Sequence, residues 1–300
     1  MTTAASPDTI TLAPASDFTV QQLTDAYNQT RVDYLVPMPM NARRLQEYID
    51  VYDIDMQHSA VALDTETGDI LGLSMLGLRR NPDRAWVTRL GVIPNRRRRG
   101  TGQALMDFML AAAAKSRVEL TMLEVIKGNE PAHALFLKCG FQATRELLVI
   151  RRAPGPLPHT PTSAATWLDR DAALALLPTR ADVQAWTNEA ESLQHVADVR
   201  GLQVTLPDGM AGWLVFQPSR LQLSRLMFAT TAGRPVPVAR ELLAHLYTLY
   251  PLLDTYTENI PTYDPHLPAF IQFGYFEVFR RIEMYRYTDG WLPQHNGTHG

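Results

Sequence analysis

The sequence predicts an α/β protein in two halves, each a sheet flanked by helices. Three observations carry this. The chain has 300 residues, enough for two domains. An apolar run (Trp86, Val87, Leu90, Val92) ends at Pro94, passes through arginines and glycines, and continues as Leu105, Met106, Met109, Ala112 and Ala113 at helical spacing. A proline-rich stretch from Arg152 to Pro161 then separates two globular halves.

Taken in order, residues 8–14 alternate like a strand. Asp17 is expected to cap a helix reaching about Thr30, with Phe18, Leu23 and Tyr27 on its apolar side. Tyr34 to Met40 is a proline-broken apolar loop, and a second helix runs from about Asn41 to Tyr52. Ser59–Leu63 and Ile70–Leu78 flank a turn at Glu66 to Asp69, which predicts a β-hairpin. Trp86–Ile93 and Glu119–Val125 are further strands, and Pro131–Lys138 is a short helix. In the second half, helices are expected near 169–177, 181–194 and 236–250. Strands are expected at 202–206, 212–217, 222–229 and 276–287. The tail from Gly290 to Gly300 is polar and expected to be loose.

The strand–turn–helix at Leu90–Leu105 makes an anion site. The first turn of a helix presents unpaired N–H groups and the positive end of its dipole. Two nucleotide fingerprints fail there. No Gly-Lys-Ser/Thr triplet occurs, and Leu105 stands where a dinucleotide loop needs its third glycine. The spacing that fits is Arg97-x-x-Gly100-x-Gly102, preceded by Val92-x-Pro94. It resembles motif A of the GNAT superfamily of acyl-CoA-dependent N-acetyltransferases. Arg98 departs from the pattern, because many members have glycine there.

A second signature follows. Leu123-Glu124-Val125, then Asn129, Ala132, Leu135, Phe136, Cys139, Gly140 and Phe141, resembles motif B of the same superfamily. Asn129 suits a helix cap, and Pro131 falls in the first turn, where a missing N–H does no harm. The resemblance implies two GNAT-like domains in tandem, each a mixed, mostly antiparallel sheet flanked by helices. The first would span 1–152, with a linker at 153–161 and a second, degenerate copy at 162–289. The end of the second half is a worn motif B: Asn259, Phe270, Gly274, Tyr275 and a strand. Its counterpart of motif A, Thr230 to Val238, has one glycine, no arginine run, and prolines that cannot donate.

The resemblance also implies roles. Amides around Arg97, Arg98, Arg99, Gly100, Thr101, Gly102 and Gln103 would hold the pyrophosphate of acetyl-CoA. Backbone groups near Leu90, Gly91 and Val92 would pair with its pantetheine arm across a local splay of strands. Asn129 and Phe136 would contact the cofactor. Glu124 matches a glutamate that serves as general base in ribosomal-protein N-acetyltransferases, and an outward-facing strand carboxylate is the other reading. Phe136 stands where the family usually has a tyrosine that protonates the departing thiolate. Phenylalanine cannot donate, and as a residue it reads as a core aromatic. Cys139 reads as a structural thiol. Tyr34, Tyr52, Asp53 and Asp55 are candidates to frame an amine, since carboxylates attract a cation, although each singly reads as ordinary core or surface.

The expected activity is acetyl transfer from acetyl-CoA to a primary amine of a small molecule or peptide by direct attack, releasing CoA. A non-catalytic acyl-CoA-binding or sensing protein is the alternative. A formal net charge of −3 argues against nucleic-acid binding. The histidines lack metal-ligand spacing, so no metal is expected. A single cysteine and the absence of a signal peptide or a long apolar run suit a cytoplasmic protein that does not enter a membrane. The sequence leaves the oligomeric state open; the tandem halves could act as a pseudo-dimer within one chain.

Overall fold

The computed structural model describes residues 10–80, 83–180 and 183–288. The chain forms two compact units. One comprises residues up to Thr144 together with those from Glu283, and the other is Arg145–Ile282. The first nine residues and those from 289 onward, including the expected loose tail, lie outside the described residues.

In the first unit, β1 (Ile10–Pro14) leads to α1 (Val20–Gln29) and α2 (Ala42–Val51). β2 (Ala60–Asp64), β3 (Ile70–Arg80) and β4 (Asp83–Val92) follow, then α3 (Thr101–Lys115), β5 (Leu120–Ile126) and α4 (Glu130–Lys138). Strands β1 to β4 pair antiparallel in sequence order, and β5 joins β4 in parallel. A parallel step needs a crossover, and α3 supplies it. Residues near the C-terminus complete the unit: Thr288 N–H donates to Glu119 O at 3.0 Å, and Thr144 Oγ1 donates to Glu283 O at 3.0 Å. The core is built from Leu23, Tyr27, Leu73, Met75, Leu105 and Met122, all fully buried.

The cap of α1 differs from expectation. Thr19 Oγ1 accepts from Gln22 N–H at 3.2 Å, and Gln22 Oε1 accepts from Thr19 N–H at 2.9 Å. This capping box satisfies two backbone donors together, so Thr19 outcompetes Asp17, which ends a short 3₁₀ turn at Ala15–Asp17.

The second unit takes up β6 (Gln142–Arg152) after Thr144. It continues through β7 (Ala165–Leu168), α5 (Arg170–Leu176), α6 (Ala190–Gln194), β8 (Arg200–Thr205), β9 (Ala211–Pro218) and β10 (Gln222–Ala232). It ends with α7 (Pro235–Leu249), β11 (Asp254–Pro261), α8 (Leu267–Gln272) and β12 (Phe276–Tyr287), whose last residues belong to the first unit. Its sheet order is β6-β11-β10-β9-β8-β7, antiparallel except for the parallel pair β10–β11. The proline-rich segment expected as a linker lies inside this unit. Glu241 on α7 holds its far end, accepting from the N–H groups of Thr162 and Ser163 at 2.6 and 2.7 Å.

Two expectations for this half are corrected. The helix expected over 181–194 is a 3₁₀ turn at Trp186–Asn188 followed by the short α6, with 181 and 182 outside the described residues. Asn188 spends its side chain on a tertiary contact, Nδ2 donating to Glu258 O at 3.0 Å, and Trp186 is wholly buried. The strand β11 was not expected at all. Its inward residues include Thr255, Thr257 and Asn259, so burial there leaves no apolar alternation. Thr257 Oγ1 accepts from Leu226 N–H, at an irregularity in β10.

Candidate active site

The site is built where β4 and β5 part. Their parallel pairing runs from Arg84–Leu120 to Val87–Leu123 and stops, although both strands continue. A bulge in β4 sits just past that point. The β3–β4 register shifts between Leu73 and Met75, and Arg89 adopts φ +57° to take up the extra residue.

The backbone beyond the bulge faces the gap. Ile93 N–H donates to Leu71 O on the β3 side at 2.9 Å. Alternate residues of a strand turn their N–H and C=O to opposite neighbours, so those of Leu90 and Val92 point away from β3. Their carbonyls are engaged from the α1–α2 loop and the glycine turn: Arg31 Nη2 donates to Leu90 O at 2.8 Å, and Arg97 Nε donates to Val92 O at 3.0 Å. Gly91 lies between them and has a different duty. A Cβ there would stand 2.3 Å from Thr30 Oγ1, so its glycine is required for packing against α1.

The helix start at α3 stands where the anion site is expected. Gly100 is the N-cap at φ +94°, with no side-chain cap, and Ala104 N–H makes the first helical bond, to Gly100 O. The N–H groups of Thr101, Gly102 and Gln103 therefore precede any intrahelical acceptor. By contrast α1, α2, α4 and α5 all carry side-chain caps. Thr101 is 1% exposed, and its Oγ1 has no hydrogen-bond partner among the described residues. Gly102 allows close approach of α4, since a Cβ would lie 3.3 Å from Leu135 Cδ2.

The arginines divide their tasks. Arg97 makes a two-pronged bond to Asp33 at 2.7 and 2.8 Å and donates to Thr30 O at 3.1 Å, so its side chain ties the α1–α2 loop to the turn. This bond is the main reason the Asp33 carboxyl is held below its ordinary value. Arg96 pairs with Asp64 at 3.1 Å. Arg98 is exposed at φ +64°, which explains why glycine suits that position.

On the other side of the gap, Asn129 caps α4 with Oδ1 toward Ala132 N–H, and its Nδ2 lies 3.4 Å from Tyr34 Oη. The Arg31 guanidinium rests 4.2 Å from the Tyr34 ring centre. Tyr34 is thus brought to the site, bridging from the α1–α2 loop to motif B. Phe136 is buried and meets Phe141 edge-on at 6.2 Å. Cys139 accepts from Gln103 Nε2 at 3.4 Å, and burial pushes its thiol upward, away from a reactive thiolate.

Glu124 stands directly past the last paired rung. Trp86 Nε1 donates to its Oε2 at 2.7 Å. Tyr52 lies 5.7 Å from the Trp86 ring and 4.7 Å from Tyr48, so three aromatics gather beside the carboxylate. Packing around the Tyr48 phenol raises it above its ordinary range. Its hydroxyl contacts Thr88 Oγ1 at 2.6 Å, and Arg89 stacks over its ring at 4.1 Å. Asp53 is committed elsewhere. Its Oδ2 accepts from the buried Arg79 at 2.8 Å, so it serves the turn after α2 and does not frame an amine. Asp55 likewise accepts from the N–H groups of Gln57 and His58, both at 3.0 Å.

Tyr48, Trp86 and Arg89 were not among the expected site residues. Tyr48 on α2 and Tyr52 at its C-cap lie one turn apart, a spacing that any buried helix face also shows. Among the described residues no group of three or more His, Cys, Asp or Glu stands ready for a metal, and no helix is long and apolar enough to cross a membrane.

Residues 22–141 match the family model of the acetyltransferase (GNAT) family. No curated protein sequence matches the chain. Among solved structures, a GCN5-related N-acetyltransferase from Sphaerobacter thermophilus superimposes with a TM-score of 0.67 at 12% identity, over 94% of this chain and 97% of that one. A tandem GNAT protein of the clavulanic acid biosynthesis pathway gives 0.62 at 14%, over 93% and 98%. A GCN5-related N-acetyltransferase from Kribbella flavida gives 0.56 at 16%, over 94% and 72%. At these identities the likeness is one of fold.

Proposed function

We propose that the chain, whose residues 22–141 match the model of the acetyltransferase (GNAT) family, transfers an acetyl group from acetyl-CoA to a primary amine of a small molecule or peptide. The observation that carries this is the parting of β4 and β5 beyond Val87–Leu123, with an uncapped helix start following β4 and a held carboxylate on β5.

Acetyl-CoA supplies an activated thioester. The chain's part is to hold, orient and move protons. The N–H groups of Thr101, Gly102 and Gln103 take the pyrophosphate, helped by the dipole of α3. The otherwise unmatched Thr101 hydroxyl and the open space at Gly100 fit such an anion. The N–H groups of Leu90 and Val92 face the pantetheine arm and the thioester oxygen, where charge grows during attack. Glu124, held by Trp86, accepts the proton that the amine must lose. Tyr34 and Tyr52 frame the amine.

Phe136 supplies no proton, so either the thiolate leaves unaided, a thiol of pKa about 8.5 being a fair leaving group near neutral pH, or another group donates in its place. The same residue favours a second reading, a protein that binds acyl-CoA and does not turn it over. One experiment separates the two: acetyl-CoA turnover against a broad amine panel, beside CoA binding by thermal shift. Turnover of any amine supports the enzyme. Binding with no turnover supports the sensor, and no binding refutes both.

A further inference from the structure

The second unit holds a cavity of about 420 Å³ where its own parallel strands part. β10 and β11 pair only from Gln222–Asp254 to Ser224–Tyr256. Past that point, Met227, Thr230, Asn259 and Pro261 are among the lining residues.

Two features point to a ligand. Trp213 is 1% exposed and lines the cavity, yet its indole N–H has no acceptor among the described residues. Buried donors are nearly always matched, so one left over beside a cavity marks a place for an acceptor. The second feature is a chain of three side chains. Asp264 Oδ1 lies 2.9 Å from His266 Nδ1, and His266 Nε2 lies 3.0 Å from Thr230 Oγ1. An ionised carboxylate only accepts, so Nδ1 carries a proton, and in the neutral ring Nε2 accepts from the Thr230 hydroxyl. The Thr230 oxygen then keeps its lone pairs for an incoming donor. Phe228 stacks on His266 at 5.6 Å and meets Phe270 edge-on at 5.0 Å, forming an aromatic wall.

The two features lie on opposite faces of the sheet. Register pairs Trp213 with Ala229 and Thr230 with Gly212, and adjacent positions on a strand face opposite ways. A molecule that reaches both must run through the gap between β10 and β11. It needs an acceptor at one end and a donor at the other, and an amide chain has both. The start of α7 offers phosphate little, because Pro235 and, next but one, Pro237 have no N–H; Arg180, which also lines the cavity, donates to Gln184 Oε1 and Asn188 O.

We propose that the second unit binds a short, uncharged, amide-bearing molecule threaded between β10 and β11. Its carbonyl accepts from Trp213, and its N–H donates to Thr230, which His266 and Asp264 hold in place.

The test follows the indole N–H resonances of the five tryptophans in the full chain while N-acetyl-leucinamide is added to about 10 mM, beyond the weak end of useful affinity. The resonance missing from Trp213→Phe is expected to move. Thr230→Val is expected to weaken the binding about tenfold, one hydrogen bond's worth. Trp213→Phe loses no protein hydrogen bond and is expected to fold; if it does not, the Thr230→Val comparison carries the test. Gly100→Asp, in the first unit, is expected to leave the titration unchanged. A Trp213 resonance that stays still, or binding that Thr230→Val leaves untouched, overturns the proposal. So does a Trp213 shift caused by coenzyme A in the Gly100→Asp protein, because the site would then accept phosphates.

Discussion

Trp86 Nε1 donates to Glu124 Oε2 at 2.7 Å, from the strand position before the last rung of the β4–β5 pairing to the position after it. The indole therefore holds the carboxylate at the fork of the two strands. A carboxylate with one oxygen fixed presents the other in a defined direction, which a proton acceptor needs. Glu124→Gln is expected to lower kcat on any accepted amine by about 10²–10⁴-fold and to leave CoA binding intact. Trp86→Phe keeps the carboxylate but removes this hydrogen bond, and is expected to cost on the order of tenfold in kcat with little change in KM for acetyl-CoA. A kinetically silent Glu124→Gln would remove the base assignment.

At Gly100, charge and conformation can be separated. Both Asn and Asp tolerate the left-handed region better than other side chains, and the space for a Cβ is open. Gly100→Asn is expected to retain CoA binding within a few fold, whereas Gly100→Asp loses at least about a hundredfold by placing a carboxylate against the phosphates. Calorimetric titration of CoA into both variants checks this. Equal losses would mean that backbone geometry, and not the anion, sets the requirement.

Arg98 occupies a left-handed position that costs an L-residue roughly 1–2 kcal/mol, part of which glycine returns through its greater freedom when unfolded. Arg98→Gly is expected to raise stability by up to about 1 kcal/mol, read as a small upward shift in Tm. A marked fall in Tm would show that the exposed arginine makes a stabilising contact.

Acid should loosen the second unit through Glu241. Burial raises its carboxyl, but the hydrogen bonds from His159, Ser163 and Thr162 outweigh this and hold it at about 2. A depressed folded-state value gives stability that is complete above the unfolded value, about 4.3, and is lost as pH falls through about 2. The loss is on the order of 2–3 kcal/mol. Glu241→Gln should lower Tm at pH 7 and flatten its acid dependence across that window. Unchanged acid unfolding would contradict the role of Glu241 in tethering residues 159–163 to α7.

Some parts of this architecture are legible in the sequence because they rest on local rules. The glycine turn and the start of α3 follow from Gly100 and the apolar repeat after it. Asn129 and Pro131 mark the start of α4, and a long run of strand formers marks both ends of β12. Competing local signals are harder to rank: Asp17 is a single cap candidate, whereas the reciprocal Thr19–Gln22 box satisfies two backbone donors. β11 escaped notice because Thr255, Thr257 and Asn259 are buried polar residues whose partners lie far away in the chain.

The site divides along the same line. Chain order dictates that a glycine-led helix start follows a strand, and that Glu124 and Asn129 come from the next strand and helix. Chain order and spacing settle such things. Which side chains meet across the gap depends on the folded arrangement. Trp86 reaches Glu124, Arg97 turns to Asp33 rather than outward, Asp53 is spent on Arg79, and Tyr34 reaches Asn129. It also placed Gly91 against Thr30 as packing. The reason is physical: these contacts join residues tens of positions apart, and short-range periodicity carries no information about which of several suitable partners a charged or aromatic group will find.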